Sequence, residues 1–230
     1  MRGTVRITER GSLIMNSLAL RTRVAGIVAA LVLGVATMGA SQMNQMSQSK
    51  MPASDLRVGL NTLLTEHVYL ASSATGAALG GRPADFEAAA GALDQNSIAL
   101  SKAVGSVYGS DAETAFLTLW RKHLGFVVDY TTGLAAKDKG KQDKAVQDLL
   151  GYANDLGVFL NAACPNLQMK VLADLVRGHI LTLKPVIDAQ AANDPTAYAK
   201  IRSAAAHMQM IADPLAAGIA KQFPTRFASR

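Results

Sequence analysis

Three stretches decide how this chain folds: LNTLLTEHVYLASSA from Leu60 to Ala74, FLTLWRKHLGFVVDY from Phe116 to Tyr130, and LADLVRGHILTLKPV from Leu172 to Val186. In the first, Leu60, Leu63, Leu64, His67, Leu70, Ala71 and Ala74 fall on one helical face. The same face returns as Phe116, Leu119, Trp120, His123, Phe126, Val127 and Tyr130, and again as Leu172, Leu175, Val176, His179, Thr182, Leu183 and Val186. His67, His123 and His179 are spaced by 56 residues each time, and Leu63, Leu119 and Leu175 keep the same step.

A second helix follows each of these. Leu100 and Val104 match Leu156 and Leu160 at the same offset, and Leu215 and Ile219 match with three residues inserted. Each second helix closes on a breaker: Tyr108-Gly109, Cys164-Pro165 or Phe223-Pro224. A fixed period of this length is what stacked helical pairs produce, since one hairpin cannot bury its apolar face alone. The expected fold is all-α: a six-helix bundle over residues 54–224, built from three repeated hairpins with a period of 56.

Boundary residues give finer expectations. Ser54 is placed to cap the first helix, and Gly80-Gly81 with Pro83 to end it. Ser110 with Glu113 reads as a capping box, Asn166 as the cap of the fifth helix, and Asp194-Pro195 as a cap followed by proline at the first helical position. Pro185 and Pro214 should kink their helices. Lys137 to Lys144, KDKGKQDK, reads as a solvated turn.

Residues 1–41 read as a secretory leader. Arg21 and Arg23 precede the apolar run VAGIVAALVLGVAT from Val24 to Thr37, and Gly39, Ala40 and Ser41 offer a cleavage site. Met15 would be a more ordinary start than Met1. The expectation is a secreted or periplasmic protein; an uncleaved leader is the alternative, which would anchor it to a membrane. Residues 42–53, polar and methionine-containing, read as a flexible linker, and 225–230 as a tail. Five of the 23 basic residues and one of the 17 acidic ones precede Gln42, leaving 18 against 16. The calculated pI of 9.5 thus owes much to the leader, no basic stripe interleaves with aromatics, and nucleic acid is not an expected partner. Cys164 is the only cysteine, which excludes an intramolecular disulfide, and its apolar setting suggests a small core residue.

Two chemistries suit the histidines. If the three hairpins surround a common axis, His67, His123 and His179 converge, and three neutral imidazoles bind zinc or copper with a position left open. His207 and Met210, within His207-Met208-Gln209-Met210, could add imidazole and thioether ligands of the kind copper takes, as could Met43, Met46 and Met51. The structural alternative has each imidazole hydrogen-bonding to a neighbouring helix, with Asn96, Asn154 and His207 as partners. That alternative describes a packing or interaction module of the cell envelope with a protein partner of unstated kind. Residues three before the four histidines are Leu64, Trp120, Val176 and Ala204, so the Glu-x-x-His pairs of di-iron bundles are missing. No HExxH, phosphate-binding glycine loop or GxSxG elbow occurs, and binding is expected rather than catalysis. Asp129, Asp188, Glu66 and Lys122 read as solvated charges.

ALDQNSIALSKAVGSVYG, LWRKHLGFVVDYT and DPLAAGIAKQFP resemble segments of secreted helical domains in bacterial proteins often labelled copper amine oxidase-like. The resemblance spans roughly Leu56 to Phe227 and rests on packing-type motifs. It implies a helical fold and export. It does not carry the oxidase activity, because the chain has no Asn-Tyr-Asp or Asn-Tyr-Glu of the kind that matures into the quinone cofactor.

Overall fold

The computed structural model describes residues 51–228. The leader, the first part of the linker and Met43 and Met46 lie outside the described residues. Seven helical segments follow in order: α1 (Ala53–Leu79), α2 (Pro83–Tyr108), α3 (Ser110–Ala135), α4 (Lys139–Ala163), α5 (Met169–Ala191), α6 (Ala197–His207) and α7 (Gln209–Gln222). The last two are halves of one expected helix broken at Met208, whose carbonyl accepts from Ala212 (2.9 Å) and Ile211 (3.1 Å) as the chain restarts. The break lies six residues before Pro214. Both Pro185 and Pro214 sit inside helices that run on past them.

The all-α bundle of three hairpins is as the hydrophobic period implies. Helices α1, α3 and α5 carry the three stripes and meet one another at the centre. Helix α2 packs between α1 and α3, α4 between α3 and α5, and α6 with α7 between α5 and α1, closing the ring. Every stripe residue is buried or half-buried. The main core joins Leu64, Val68, Trp120, Val127, Leu156 and Val176 across all three hairpins. A smaller cluster of Cys164, Leu167 and Leu172 seals the α4–α5 turn, and Cys164 is a buried core thiol as expected.

The inner helices end in the same way. Gly81, Lys137 and Asn193 take left-handed φ values of 66°, 55° and 53°, and they too are 56 residues apart. The next amide in each case turns back to the helix: Arg82 N–H to Ala77 O (3.0 Å), Asp138 N–H to Gly133 O (2.8 Å) and Asp194 N–H to Ala189 O (2.8 Å). This is the Schellman closure, which satisfies the last free carbonyls and reverses the chain into the second helix.

The helix starts differ from what sequence suggested. Pro52 precedes α1 and Ser54 lies within it, its hydroxyl turned to Asp55. Ser110 opens α3 as a helical residue after Gly109, whose φ of 92° suits glycine, and Glu113 folds back over Gly105 rather than forming a capping box. Gln168 precedes α5, while Asn166 reaches the Gly218 carbonyl (3.5 Å). Asp194 does receive the Thr196 N–H (2.8 Å), ahead of a helix that begins at Ala197. Inside the expected turn KDKGKQDK, Asp138 caps α4 by accepting from Lys141 N–H (2.9 Å). A side-chain acceptor caps a helix only where the backbone turns at that residue, which a sequence pattern alone does not reveal.

The two ends of the described segment also meet. Met51–Pro52 pairs in parallel with Phe227–Ala228, Phe227 is buried, and the Arg226 guanidinium donates to the Ser106 and Val107 carbonyls at the end of α2. The folded body therefore reaches slightly past 54–224 on both sides. No helix among the described residues is long and apolar enough to cross a membrane.

Two substitutions test these features in opposite directions. Lys137→Gly should raise the free energy of unfolding by about 1 kcal/mol by relieving a left-handed non-glycine residue. At Gly157 a Cβ would stand 2.9 Å from the Met169 carbonyl oxygen and 3.2 Å from Ala173 Cβ, so Gly157→Ala should cost about 1–3 kcal/mol through overpacking of α4 on α5. Urea denaturation reads both; a neutral Gly157→Ala would show that this contact is not tight.

Candidate functional site: a buried imidazole cluster

Near the middle of α1, α3 and α5 stand His67, His123 and His179, with relative exposures of 1%, 5% and 8%. They converge. The His67 and His123 Nε2 atoms are 3.4 Å apart, and the ring centroids of His67 lie 5.3 Å from His123 and 5.9 Å from His179. Trp120, one turn before His123, sets its ring edge-on to both His123 (4.5 Å) and His67 (4.9 Å), while Tyr152 from α4 stacks on His123 at 4.8 Å. The helical period explains the convergence. Residues at equal depth on three inner helices have nowhere to point but toward one another.

Burial keeps all three rings neutral. It holds His67 well below its ordinary value, with His123 and His179 adding to the effect. Burial likewise brings His123 down to about 3, lowered further by His179 and offset in part by the Trp120 backbone, and His179 down to about 4, with His207 contributing. A neutral imidazole has one N–H and one lone pair, and both need partners when buried. One of His67 and His123 can donate through Nε2 to the other. The Nδ1 atoms of His67 and His179 have no hydrogen-bond partner in the protein, and that of His123 has only the Trp120 backbone nearby, which raises its pKa a little without making a full hydrogen bond. Trp120 Nε1 and the Tyr152 hydroxyl, also buried, are likewise unpartnered, and burial raises the Tyr152 phenol well above its usual range.

None of the partners expected on the second helices bonds to these rings. Asn96 donates to the Leu63 carbonyl (3.0 Å) and to Glu66 (2.8 Å), because the register of α2 on α1 sets it one turn from His67. Asn154 pairs with Arg177 on the surface. His207 approaches the Leu175 carbonyl with Nε2 (3.3 Å), resting on Gly178, where a Cβ would come within 2.9 Å of its ring. It therefore flanks His179 without joining the three. Met210 is 56% exposed and points away from the cluster, since its neighbour Met208 takes the buried position where α6 gives way to α7. Among the described residues no group of three or more His, Cys, Asp or Glu side chains is already gathered around one metal position.

In the sequence Trp120 stands out only as part of an apolar stripe, and Tyr152 lies on none of the three stripes. A signal for Tyr152 existed, because it lies 56 residues after Asn96, the buried polar residue of α2. Asp188 is less solvated than expected: it accepts from Tyr130 Oη at 2.5 Å and from Lys184 Nζ at 2.7 Å. Asp129 faces Lys141, and Glu66 and Lys122 are exposed.

The neutral rings give the fold a signed pH dependence. Each imidazole titrates near 6.5 when unfolded and well below that when folded, so the unfolded chain binds more protons in between. The stabilisation is whole above pH 6.5 and is lost as pH falls toward the folded values. Between pH 6.5 and 5, above the carboxylate range, urea denaturation of chelator-treated protein should show stability falling by up to about 1.4 kcal/mol per pH unit for each imidazole. His123→Leu should make that slope shallower; a flat profile in the parent protein would contradict the buried neutral cluster.

No protein-family model matches the chain, and comparison with the curated proteins and with the solved structures gave no match.

Proposed function

We propose that this is an exported helical-bundle protein that holds one transition-metal ion, copper or zinc, among His67, His123 and His179. One observation carries the reading: three neutral, buried imidazoles from three different helices meet, and two of them bring their Nε2 atoms face to face. Two nitrogens on a tetrahedral zinc at about 2.0–2.1 Å each stand about 3.3–3.4 Å apart. The His67 and His123 Nε2 atoms are separated by 3.4 Å. His179 would complete the set by turning its ring toward that pair. Deprotonated imidazoles bind without first expelling a proton, so affinity should persist to mildly acidic pH. The ligands have no carboxylate behind Nδ1, so binding should be about 10–100-fold weaker than in sites braced that way. Export is supported by the leader pattern of residues 1–41 and by the resemblance to secreted helical domains. His207 and Met210 are left out of this ligand set, being respectively beside it and on the surface.

A second reading is favoured by a specific contact. The His67–His123 approach, with Trp120 edge-on to both rings, is itself a packing solution, and it suits a structural or interaction module of the cell envelope. Elemental analysis of protein purified from its native host separates the two. The metal reading expects about one copper or zinc per chain and its loss in His123→Ala, with the variant's folding checked by circular dichroism. Protein that carries no stoichiometric metal, and takes up none from added zinc or copper, leaves only the packing role.

A further inference from the structure

The three hairpins are not equally filled. Between α1, α2 and α3 lies a cavity of about 330 Å³. Its floor is buried and apolar, with Ala71, Ala74, Leu93 and Val127, and its mouth is exposed, with Ala78, Val128 and Thr132. The step of 56 residues shows what is missing. Ala71, Ala74 and Ala78 stand where the second hairpin has Val127, Tyr130 and Leu134. Val128 and Thr132, on the facing helix, stand where α5 has Lys184 and Asp188. In the second hairpin Tyr130 spans that same interval: its hydroxyl donates to Asp188 (2.5 Å), and the Lys184 ammonium lies 5.2 Å from its ring centre. The first hairpin keeps the walls of this arrangement and lacks the ring.

We infer that this cavity binds a small neutral compound with one aromatic ring and a hydroxyl group, the counterpart of the tyrosine side chain that the first hairpin lacks. Size allows it: a dry cavity of about 150 Å³ already accepts benzene, and ligand pockets begin at about 300 Å³. The floor suits a hydrocarbon body, because its hydroxyls are satisfied within the protein. Thr75 donates to the Ala71 carbonyl (3.0 Å) and Thr131 to the Val127 carbonyl (2.8 Å). Charged groups on the lining pair with each other: the Arg121 guanidinium meets Asp94 through two hydrogen bonds of 2.9 Å, so neither calls for an ionic ligand. At the mouth the Thr132 hydroxyl donates to the Val128 carbonyl (3.0 Å), which leaves its oxygen free to accept. Asp188 accepts from Tyr130 at the matching place in the second hairpin, and a phenolic ligand would donate to Thr132 in the same way. None of the three imidazoles lines this cavity, so the inference stands apart from the metal reading.

The test uses the purified chain with p-cresol, which is the tyrosine side chain as a free molecule, and with toluene and benzoate for comparison. Methyl NMR locates binding and titration calorimetry measures it. p-Cresol should bind at millimolar concentration and shift the methyl signals of Leu93, Val127 and Val128; toluene should bind more weakly and benzoate not at all. Thr132→Val, an exposed change, should weaken p-cresol by about five-fold and leave toluene unchanged. Ala74→Tyr supplies the ring from the chain itself and should abolish binding of both. Ala78→Leu, which reproduces Leu134 at the mouth, is the milder variant and should weaken both. Absence of saturable binding, or shifts confined to methyl groups elsewhere, removes the site, as does p-cresol binding that ignores both alanine variants. Equal affinity for toluene and p-cresol that ignores Thr132→Val overturns the hydroxyl contact, and benzoate binding as tight as p-cresol overturns the requirement for a neutral ligand.

Discussion

Three imidazoles withdrawn from water must be neutral, and the bundle is organised around that constraint. His67, His123 and His179 sit near the midpoints of the three inner helices, where the apolar stripes are most enclosed. A charged ring there would face two other rings and an apolar wall. Desolvation therefore outweighs every favourable contact the charged form could make, and each pKa falls. What remains is a set of dipolar rings that must satisfy their nitrogens with one another, with edge-on and stacked aromatics, or with something bound.

The helices that deliver these rings are held in matching attitudes by two devices outside the cluster. The Schellman closures at Gly81, Lys137 and Asn193 end each inner helix at the same distance beyond its histidine, which fixes where the chain turns back. Close approach between inner helices is permitted by Gly76. Across it Gln190 donates to the Ser72 carbonyl (2.8 Å) and accepts from the Thr75 hydroxyl (2.8 Å), tying α1 to α5. Since a Cβ at Gly76 would lie 2.9 Å from the Gln190 amide nitrogen, the clamp and the glycine belong together. Helix ends and clamp both act far from the imidazoles, yet they set the depth at which the rings meet.

Much of this was legible in the chain. The stripe residues are the core residues, because helical spacing and burial are the same fact seen twice. The step of 56 residues placed three histidines at one level, and convergence followed once three hairpins closed on themselves. Partner assignments were not legible. Whether Asn96 meets His67 or the Leu63 carbonyl depends on a register shift of one turn between α1 and α2, and periodicity is blind to that. The capping residues failed for a related reason: Ser54, Ser110 and Asn166 each have the right chemistry, but the backbone turns one or two residues away from them. The break at Met208 was hidden by an unbroken apolar pattern, and it is what leaves Met208 buried and Met210 outside.

The metal and packing readings meet in one contact: the Nε2 atoms of His67 and His123, 3.4 Å apart, suit either a shared metal ion or a hydrogen bond between neutral rings. The most direct test of the central claim is an NMR titration of the histidine ring carbons and nitrogens in the folded, metal-free protein from pH 8 to pH 5. His67, His123 and His179 should remain neutral throughout, with shifts that change only when the protein unfolds. Reversible titration of any of the three near pH 6.5 in the folded state would mean that its ring meets water, and would contradict a shared interior cluster.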